Sequence, residues 1–206
     1  MTQHNPYDLI IIKKDMVPNK HIEELMLLTN NKEGIKQAQV INKDDDGNNT
    51  HEEKIENRDT LWYDIPEEQC NQLQVAISNV YSRYVQPKYN CEFKSYEPAQ
   101  LLGYPVGGHY IEHNDAETFH DGEWVKIAPR DISFLFYLNE EFGGGELEFP
   151  ELGLTIKPKK GMMIAFPSYK EYVHKVHPVT WGHRYTLVSW VATKEKLYDT
   201  IPTEGV

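Results

Sequence analysis

The chain has 206 residues, 39% of them hydrophobic and 12% aromatic, and 21 Lys+Arg against 32 Asp+Glu leave a net charge of −11. That length fits one domain with a sizeable core, and the apolar content excludes a disordered chain. The acidic balance repels phosphate backbones, so nucleic acid is set aside as a direct partner and a basic peptide or protein suits the surface better.

Cys70 and Cys91 are the two cysteines and form no C-x-x-C pair. Neither a disulfide framework nor a cysteine zinc site is indicated, and reduced thiols point to a cytoplasmic location. The apolar run Leu9-Ile10-Ile11-Ile12 before Lys13 and Lys14 is too short for a signal peptide. No stretch approaches the roughly 20 apolar residues that span a bilayer, so no membrane partner is expected.

In chain order, Leu9–Ile12 reads as a short buried strand. Pro18-Asn19 opens a helix to about Thr29, with Ile22, Leu25 and Met26 at helical spacing. Gln37 to Ile41 reads as a strand. Asn42–Asp59 is highly charged, nearly devoid of apolar residues, and predicts a solvated loop. Asp64 and Glu67 form a D-x-x-E start signal with Pro66 in the first turn of a second helix. Leu73, Ala76, Ile77, Val80, Tyr81 and Tyr84 give it one apolar face, and Pro87 is expected to end it.

From Cys91 onward the pattern is β. Strands are predicted at Phe93–Tyr96, Gln100–Tyr104, Trp124–Ile127, Ile132–Leu138, Glu146–Phe149, Leu154–Ile156, Met162–Phe166 and Arg184–Val191. Gly and Pro clusters separate them. The expected fold is mainly β, a double-stranded β-helix (jelly roll) with two N-terminal helices buttressing one sheet. Residues 1–206 are expected to form a single domain, with a helix-containing part over 1–90 and the jelly-roll core over 91–206.

The triplet His113-Asn114-Asp115 is where chemistry is expected. On an extended strand positions two apart share a face, so His113 and Asp115 can offer a nitrogen and an oxygen to one metal. One more imidazole from a neighbouring strand completes two histidines and one carboxylate, which suits non-haem Fe(II). Alone, His-x-Asp is a common pattern, and a polar turn is its plainer reading. The pattern His-Glu-x-x-His of zinc hydrolases is absent.

Four further segments are specific. His174-Lys175-Val176-His177-Pro178-Val179 followed by Gly182-His183-Arg184-Tyr185 resembles the C-terminal signature of 2-oxoglutarate/Fe(II) dioxygenases of the prolyl 4-hydroxylase type. Gly103-Tyr104-Pro105 through Asp115 resembles that family's metal-binding strand. Phe136-Tyr137-Leu138-Asn139 and Gly143-Gly144-Gly145-Glu146-Leu147 resemble the segments between.

The resemblance implies His113, Asp115 and His174 as iron ligands, and Arg184 as partner of the distal carboxylate of 2-oxoglutarate. A planar guanidinium matches a carboxylate better than an ammonium does. Arginine here, where many prolyl 4-hydroxylases have lysine, is closer to the oxygen-sensing prolyl hydroxylases. Tyr137 is implied as a second donor to that carboxylate. Tyr104 matches a pocket tyrosine, although its spacing to the metal histidine differs by one residue. Strand alternation adds Thr186, Val188 and Trp190 to the Arg184 face and Leu135 to the Tyr137 face, together a pocket for a small dicarboxylate.

Of the other histidines, His177 stands outside the signature, His109 and His120 flank the metal strand, and His183 points opposite Arg184. Asn57-Arg58-Asp59-Thr60-Leu61-Trp62 resembles the end of the mobile substrate loop in oxygen-sensing prolyl hydroxylases, and Arg130 lies seven before Tyr137. Arg58, Asp59 and Arg130 are accordingly expected to border a peptide groove, the alternative being three ordinary surface charges.

The implied activity is hydroxylation of a prolyl residue in a peptide or protein by a monomer, using Fe(II), 2-oxoglutarate, O2 and ascorbate as reductant, with release of succinate and CO2. Two alternatives stay open: an oxygenase of the same fold acting on a free amino acid or lysyl side chain, and a non-catalytic jelly-roll metal-binding module.

Overall fold

A computed structural model describes residues 6–195; residues 1–5 and 196–206 of the expected single domain lie outside the described residues. Within them, two antiparallel sheets face each other in a double-stranded β-helix. The larger runs in the order Ile11–Lys13, Met163–Pro167, Ile132–Tyr137, Arg184–Thr193, Gln100–Tyr104, Leu61–Tyr63 and Lys36–Gln37, and Phe93–Tyr96 pairs with the far end of Arg184–Thr193. The smaller runs Leu154–Ile156, Leu147–Phe149, His174–Val176, His109–His113 and Arg58–Asp59.

Ile132–Tyr137 is buried at all six positions, as its unbroken apolar run requires of a central strand covered on both faces. Its odd residues Ser133, Leu135 and Tyr137 pair with Trp190, Val188 and Thr186 and face the smaller sheet. Phe166 meets Phe149 across the gap, edge to face at 5.0 Å between centroids. The even residues face the helices. Phe136 and Leu187 line a small cavity of about 190 Å³ with Leu25, Leu73 and Ile77 of the two helices. Burying each such side chain contributes roughly 1.5–3 kcal/mol.

The first helix, Asn19–Leu28, matches the expected span. The second, Glu67–Val80, begins after Pro66, which precedes the first turn instead of standing in it, and Asp64 does not cap it; the Asp64 carboxylate pairs with Lys36 at 3.3 Å. Nor does Pro87 stop it. Tyr81–Val85 continues as a π turn, with the Gln86 N–H donating to the Tyr81 carbonyl, and Gln86–Tyr89 then resumes α before Asn90 closes it at φ 50°. The wider turn just before Pro87 places the ring in the first turn of a new segment, where its missing N–H costs nothing.

The charged stretch 42–59 is not a plain loop. Val40–Lys43 and Asn49–Glu52 pair as a hairpin, and Arg58–Asp59 joins the smaller sheet. The turn is held by Asp44, whose carboxylate accepts the Asp46 and Asn48 N–H groups at 3.0 and 2.7 Å. At the N-terminus, Pro6–Leu9 is a 3₁₀ turn and the strand is Ile11–Lys13, with Ile12 exposed. The expected strand over 37–41 is split between Lys36–Gln37 and Val40–Lys43. Leu61–Tyr63, Glu117–His120, Phe142–Gly144 and Val179–Gly182 were not foreseen as strands, whereas His109–His113 matches the expected metal-binding strand and His174–Val176 its expected neighbour.

Asp131 locks the sheet ends together. Its carboxylate accepts the Thr193 N–H at 2.8 Å, the Lys126 ammonium at 2.9 Å and the Tyr169 hydroxyl. Its own carbonyl takes the Ser168 N–H at 3.0 Å.

Candidate metal centre and carboxylate anchor

His113 and His174 are direct partners across antiparallel strands, so their rings share a face, 4.3 Å apart between centroids. Each ring is oriented the same way. His113 Nδ1 donates to the Ile111 carbonyl at 2.7 Å and His174 Nδ1 to the Tyr172 carbonyl at 3.0 Å. Carbonyls only accept, so both Nδ1 atoms carry a proton and both Nε2 atoms are turned toward Asp115. Both Nε2 atoms lie 3.8 Å from the Asp115 carboxylate, one on each oxygen.

Asp115 arrives differently from the sequence expectation. The strand ends at His113, and a turn carries the carboxylate over. Asn114 Oδ1 accepts the N–H groups of Ala116 and Glu117 at 3.2 and 2.7 Å, and the Asp115 and Ala116 N–H groups reach the Ser168 carbonyl. The structure therefore brings the His113 and Asp115 side chains together by a turn and not by strand alternation. The Ser133 hydroxyl, itself bonded to Ser168, donates to Asp115 Oδ2 at 2.6 Å. Ser133 was legible as the next odd position before Leu135 and Tyr137, yet was missed.

Burial, then the neighbouring His174, push the His113 imidazole well below its ordinary pKa, which keeps it a neutral ligand. Burial alone raises the Asp115 carboxyl. The His174 and His113 rings, Arg130 and the Ser133 hydroxyl outweigh it and hold the group ionised.

Arg184 has no exposed surface. Its guanidinium lies over the Tyr104 ring at 4.4 Å and the Tyr137 ring at 5.0 Å, and Nη2 reaches the Tyr137 hydroxyl at a long 3.5 Å. Nε and Nη1 have no partner, and the buried Thr186 hydroxyl and Trp190 indole N–H are likewise unpaired. A buried cation with idle donors is costly unless an anion completes it. Burial raises the Tyr137 phenol, against the pull of Arg184, so it stays protonated and able to donate. Gly145 makes room: a Cβ there lies 2.9 Å from Arg184 Cδ, at φ +66°.

An open cleft of about 880 Å³ leads to the centre, lined by His113, Asp115, Tyr110, Arg58, Arg130 and Trp190 among others. Of the expected pocket residues only Trp190 lines this cleft. Arg184, Tyr104, Tyr137, Leu135, Thr186 and Val188 do not line it and are at most 7% exposed.

Arg58 and Arg130 border the cleft but are not surface charges, being 8% and 9% exposed. Arg130 makes a two-pronged pair with Glu97 at 2.7 Å, donates to the Asp115 carbonyl at 3.1 Å and stacks on Trp190 at 3.7 Å. Arg58 donates to the Gln39 carbonyl at 2.7 Å and lies over the Tyr110 ring, which stacks on His113. Asp59 is not among the cleft residues: as the next residue along a strand it points the other way. His177 is tied to Glu148, His109 to the Gly107 and Glu56 carbonyls, His120 lies beside Asp121, and His183 stacks with Tyr185, away from the triad.

Residues 99–192 match the 2OG-Fe(II) oxygenase superfamily. Over that stretch the chain resembles a 2OG-Fe(II) oxygenase domain. A curated relative, the 2-oxoglutarate and iron-dependent oxygenase domain-containing protein 3 of Rattus norvegicus, is 36% identical over 88 residues, 37% of this chain. The chain spans 28% of that relative's length. The chain's fold is that of solved prolyl hydroxylases. The viral collagen prolyl hydroxylase of Paramecium Bursaria Chlorella virus-1 aligns with a TM-score of 0.64 at 24% identity, covering 90% of this chain and 97% of that one. A prolyl hydroxylase of Trichoplax adhaerens, solved with a hypoxia inducible factor peptide fragment, aligns at 0.66 and 18% identity, covering 94% and 87%.

The residues present fit the groups this family uses. Among the described residues His113, Asp115 and His174 form the one cluster able to hold a metal, with ligand atoms within 4.8 Å of one another. Two imidazoles and one carboxylate suit Fe(II). The idle donors of Arg184 fit a carboxylate.

Proposed function

We propose that the chain is a 2-oxoglutarate- and Fe(II)-dependent dioxygenase that hydroxylates a prolyl residue in a peptide or protein, with succinate and CO2 as co-products. The observation that carries this reading is Arg184: a fully buried guanidinium with two unpaired donor atoms, beside Tyr137, in a fold that also holds a two-histidine, one-carboxylate cluster. A protein that only bound a metal or a sugar would have no use for a buried carboxylate anchor.

His113, Asp115 and His174 would hold Fe(II), whose contribution is to activate dioxygen and couple oxidation of 2-oxoglutarate to insertion of one oxygen atom into a substrate C–H bond. The chain does the rest. The Ile111 and Tyr172 carbonyls fix both rings, and Ser133 fixes the carboxylate. Arg184 and Tyr137 bind the far carboxylate of 2-oxoglutarate, while Leu135 and Val188 keep water from it. Tyr104 holds the guanidinium from its ring face.

Residues 1–206 act as a single domain in this reading, and every site residue comes from one chain, so a monomer suffices. Ascorbate is the accompanying reductant. The free thiols Cys70 and Cys91 suit a cytoplasmic setting. Among the described residues no helix is long and apolar enough to cross a membrane.

The polypeptide substrate is favoured by the cleft, which at about 880 Å³ is larger than a free amino acid needs. Comparing peptides from cells with and without the protein by mass spectrometry tests this. Proline peptides that gain one oxygen only when the protein is present support it; oxygen gained on lysine alone redirects the substrate.

A further inference from the structure

Beyond the metal centre, the cleft is walled by a short hairpin, Glu117–His120 with Glu123–Lys126, turned at Asp121 and Gly122, which stand at φ 49° and 85°. That Asp-Gly turn suits a two-residue hairpin. Phe119 and Trp124 pair directly across it, edge to face at 5.7 Å, and both line the cleft. Yet both are exposed, Phe119 at 62% and Trp124 at 41%. No other part of the described chain covers them. Opposite stands the 40–52 hairpin, whose Val40 and Ile41 also line the cleft. Asn49 Nδ2 bonds the Ile127 carbonyl at 2.8 Å and so fixes the two hairpins' spacing.

An uncovered aromatic pair on the wall of a substrate cleft has a definite chemistry. Flat ring faces take up proline rings and other apolar side chains of an extended chain, as aromatic-lined grooves do for polyproline-type segments. We infer that Phe119 and Trp124 form a specificity subsite for a second proline or apolar residue of the substrate polypeptide, flanking the residue that is oxidised. The inference rests on the proposed peptide hydroxylation and adds where along the substrate recognition occurs. Phe119 is four residues past Asp115, so it stands at most about 14 Å from it along the chain. A polyproline-type segment rises about 3.1 Å per residue, which puts the flanking residue within about four or five positions of the target. Because the hairpin stands on one side of the centre, the preference falls on one side of the target residue.

The test uses the full chain loaded with Fe(II) and 2-oxoglutarate under nitrogen, so that binding is read without turnover. The probes are peptides with a central proline in an alanine–glycine background, into which one extra proline, phenylalanine or aspartate is walked outward. With wild type, proline or phenylalanine within about five positions on one side strengthens binding about tenfold, and aspartate does not. Phe119→Ser and Trp124→Ser erase that positional preference, and Trp124→Phe retains it. If the pair merely staples its own hairpin, the serine variants lower the melting temperature and leave the preference in place, which overturns the inference. A wild type without positional preference overturns it as well. The same array in air, read by mass for a gained oxygen, reports on the hydroxylase reading separately: preference without oxidation leaves the subsite standing and removes the reaction.

Discussion

Ser133 and Asp115, 18 residues apart and on different elements, are joined by a 2.6 Å hydrogen bond from hydroxyl to carboxylate. Ser133 is fully buried and sits on the central strand, so it couples the ligand's orientation to the most rigid part of the fold. Removing the hydroxyl leaves the three ligands in place and frees the carboxylate to turn. Ser133→Ala is expected to weaken Fe(II) binding by about 10- to 100-fold, with the affinity for 2-oxoglutarate at saturating iron much less affected. Metal titration of the two proteins checks it; equal iron affinity would remove Ser133 from the role.

The anchor has two independent handles. Arg184→Ala removes the carboxylate's partner, and the loss of a buried charge partner costs about 2–5 kcal/mol, roughly 30- to several thousandfold in 2-oxoglutarate affinity. Gly145→Ala reaches the same site from behind, since its Cβ meets Arg184 Cδ at 2.9 Å and its φ of +66° disfavours a side chain. It is expected to raise KM for 2-oxoglutarate about tenfold or more by displacing the guanidinium. Steady-state kinetics with iron in excess separates both effects from metal loss.

The two nearby histidines should part company. His174→Ala is expected to abolish iron retention and turnover. His177 bonds Glu148 at the surface, so His177→Ala should leave stability and turnover near wild type. Metal content after desalting, followed by an activity assay, distinguishes them; the reverse result moves the ligand.

How much of this was legible follows from range. His113 and Asp115 were legible from their two-residue spacing, and Leu135, Thr186, Val188 and Trp190 from strand alternation, whereas His174, Arg184 and Tyr137 came from the resemblance of their segments to the dioxygenase signature. What failed needed partners from far along the chain. Arg130 was expected at the groove and lines the cleft, but nothing local announced its pairing with Glu97, 33 residues away. The stretch 42–59 looks like a loop because its apolar content is low; Asp44's turn and the Asn49 bond to Ile127 make it a hairpin. Pro87 argues for a helix end by every local rule, and the π turn before it overrides them. Asp59 was expected at the cleft beside Arg58, and alternation on that strand alone already argued against placing both there.

Acid stability tests the lock at Asp131. Burial pushes its carboxyl up, but the Tyr169 hydroxyl, the Thr193 N–H and Lys126 outweigh this and hold it below its ordinary value. A carboxyl depressed in the folded state contributes stability above its unfolded pKa, about 3.9, and loses it as pH falls through the lower folded value. Asp131→Asn is expected to lower unfolding free energy at neutral pH by about 1–3 kcal/mol, and the gap to wild type should narrow below about pH 4. Urea unfolding at several pH values checks it; a gap constant in pH would mean the carboxylate's charge is not what matters.

The central claim is that Arg184 and the His113–Asp115–His174 cluster work as one oxidising site. The most direct measurement is the ratio of succinate formed to oxygen gained on a proline peptide by the purified protein with Fe(II) and 2-oxoglutarate. The account predicts that the two rise together, one for one, and that both vanish when either 2-oxoglutarate or iron is withheld. Oxidation of the peptide that persists without 2-oxoglutarate, or its absence from every proline peptide offered, would contradict it.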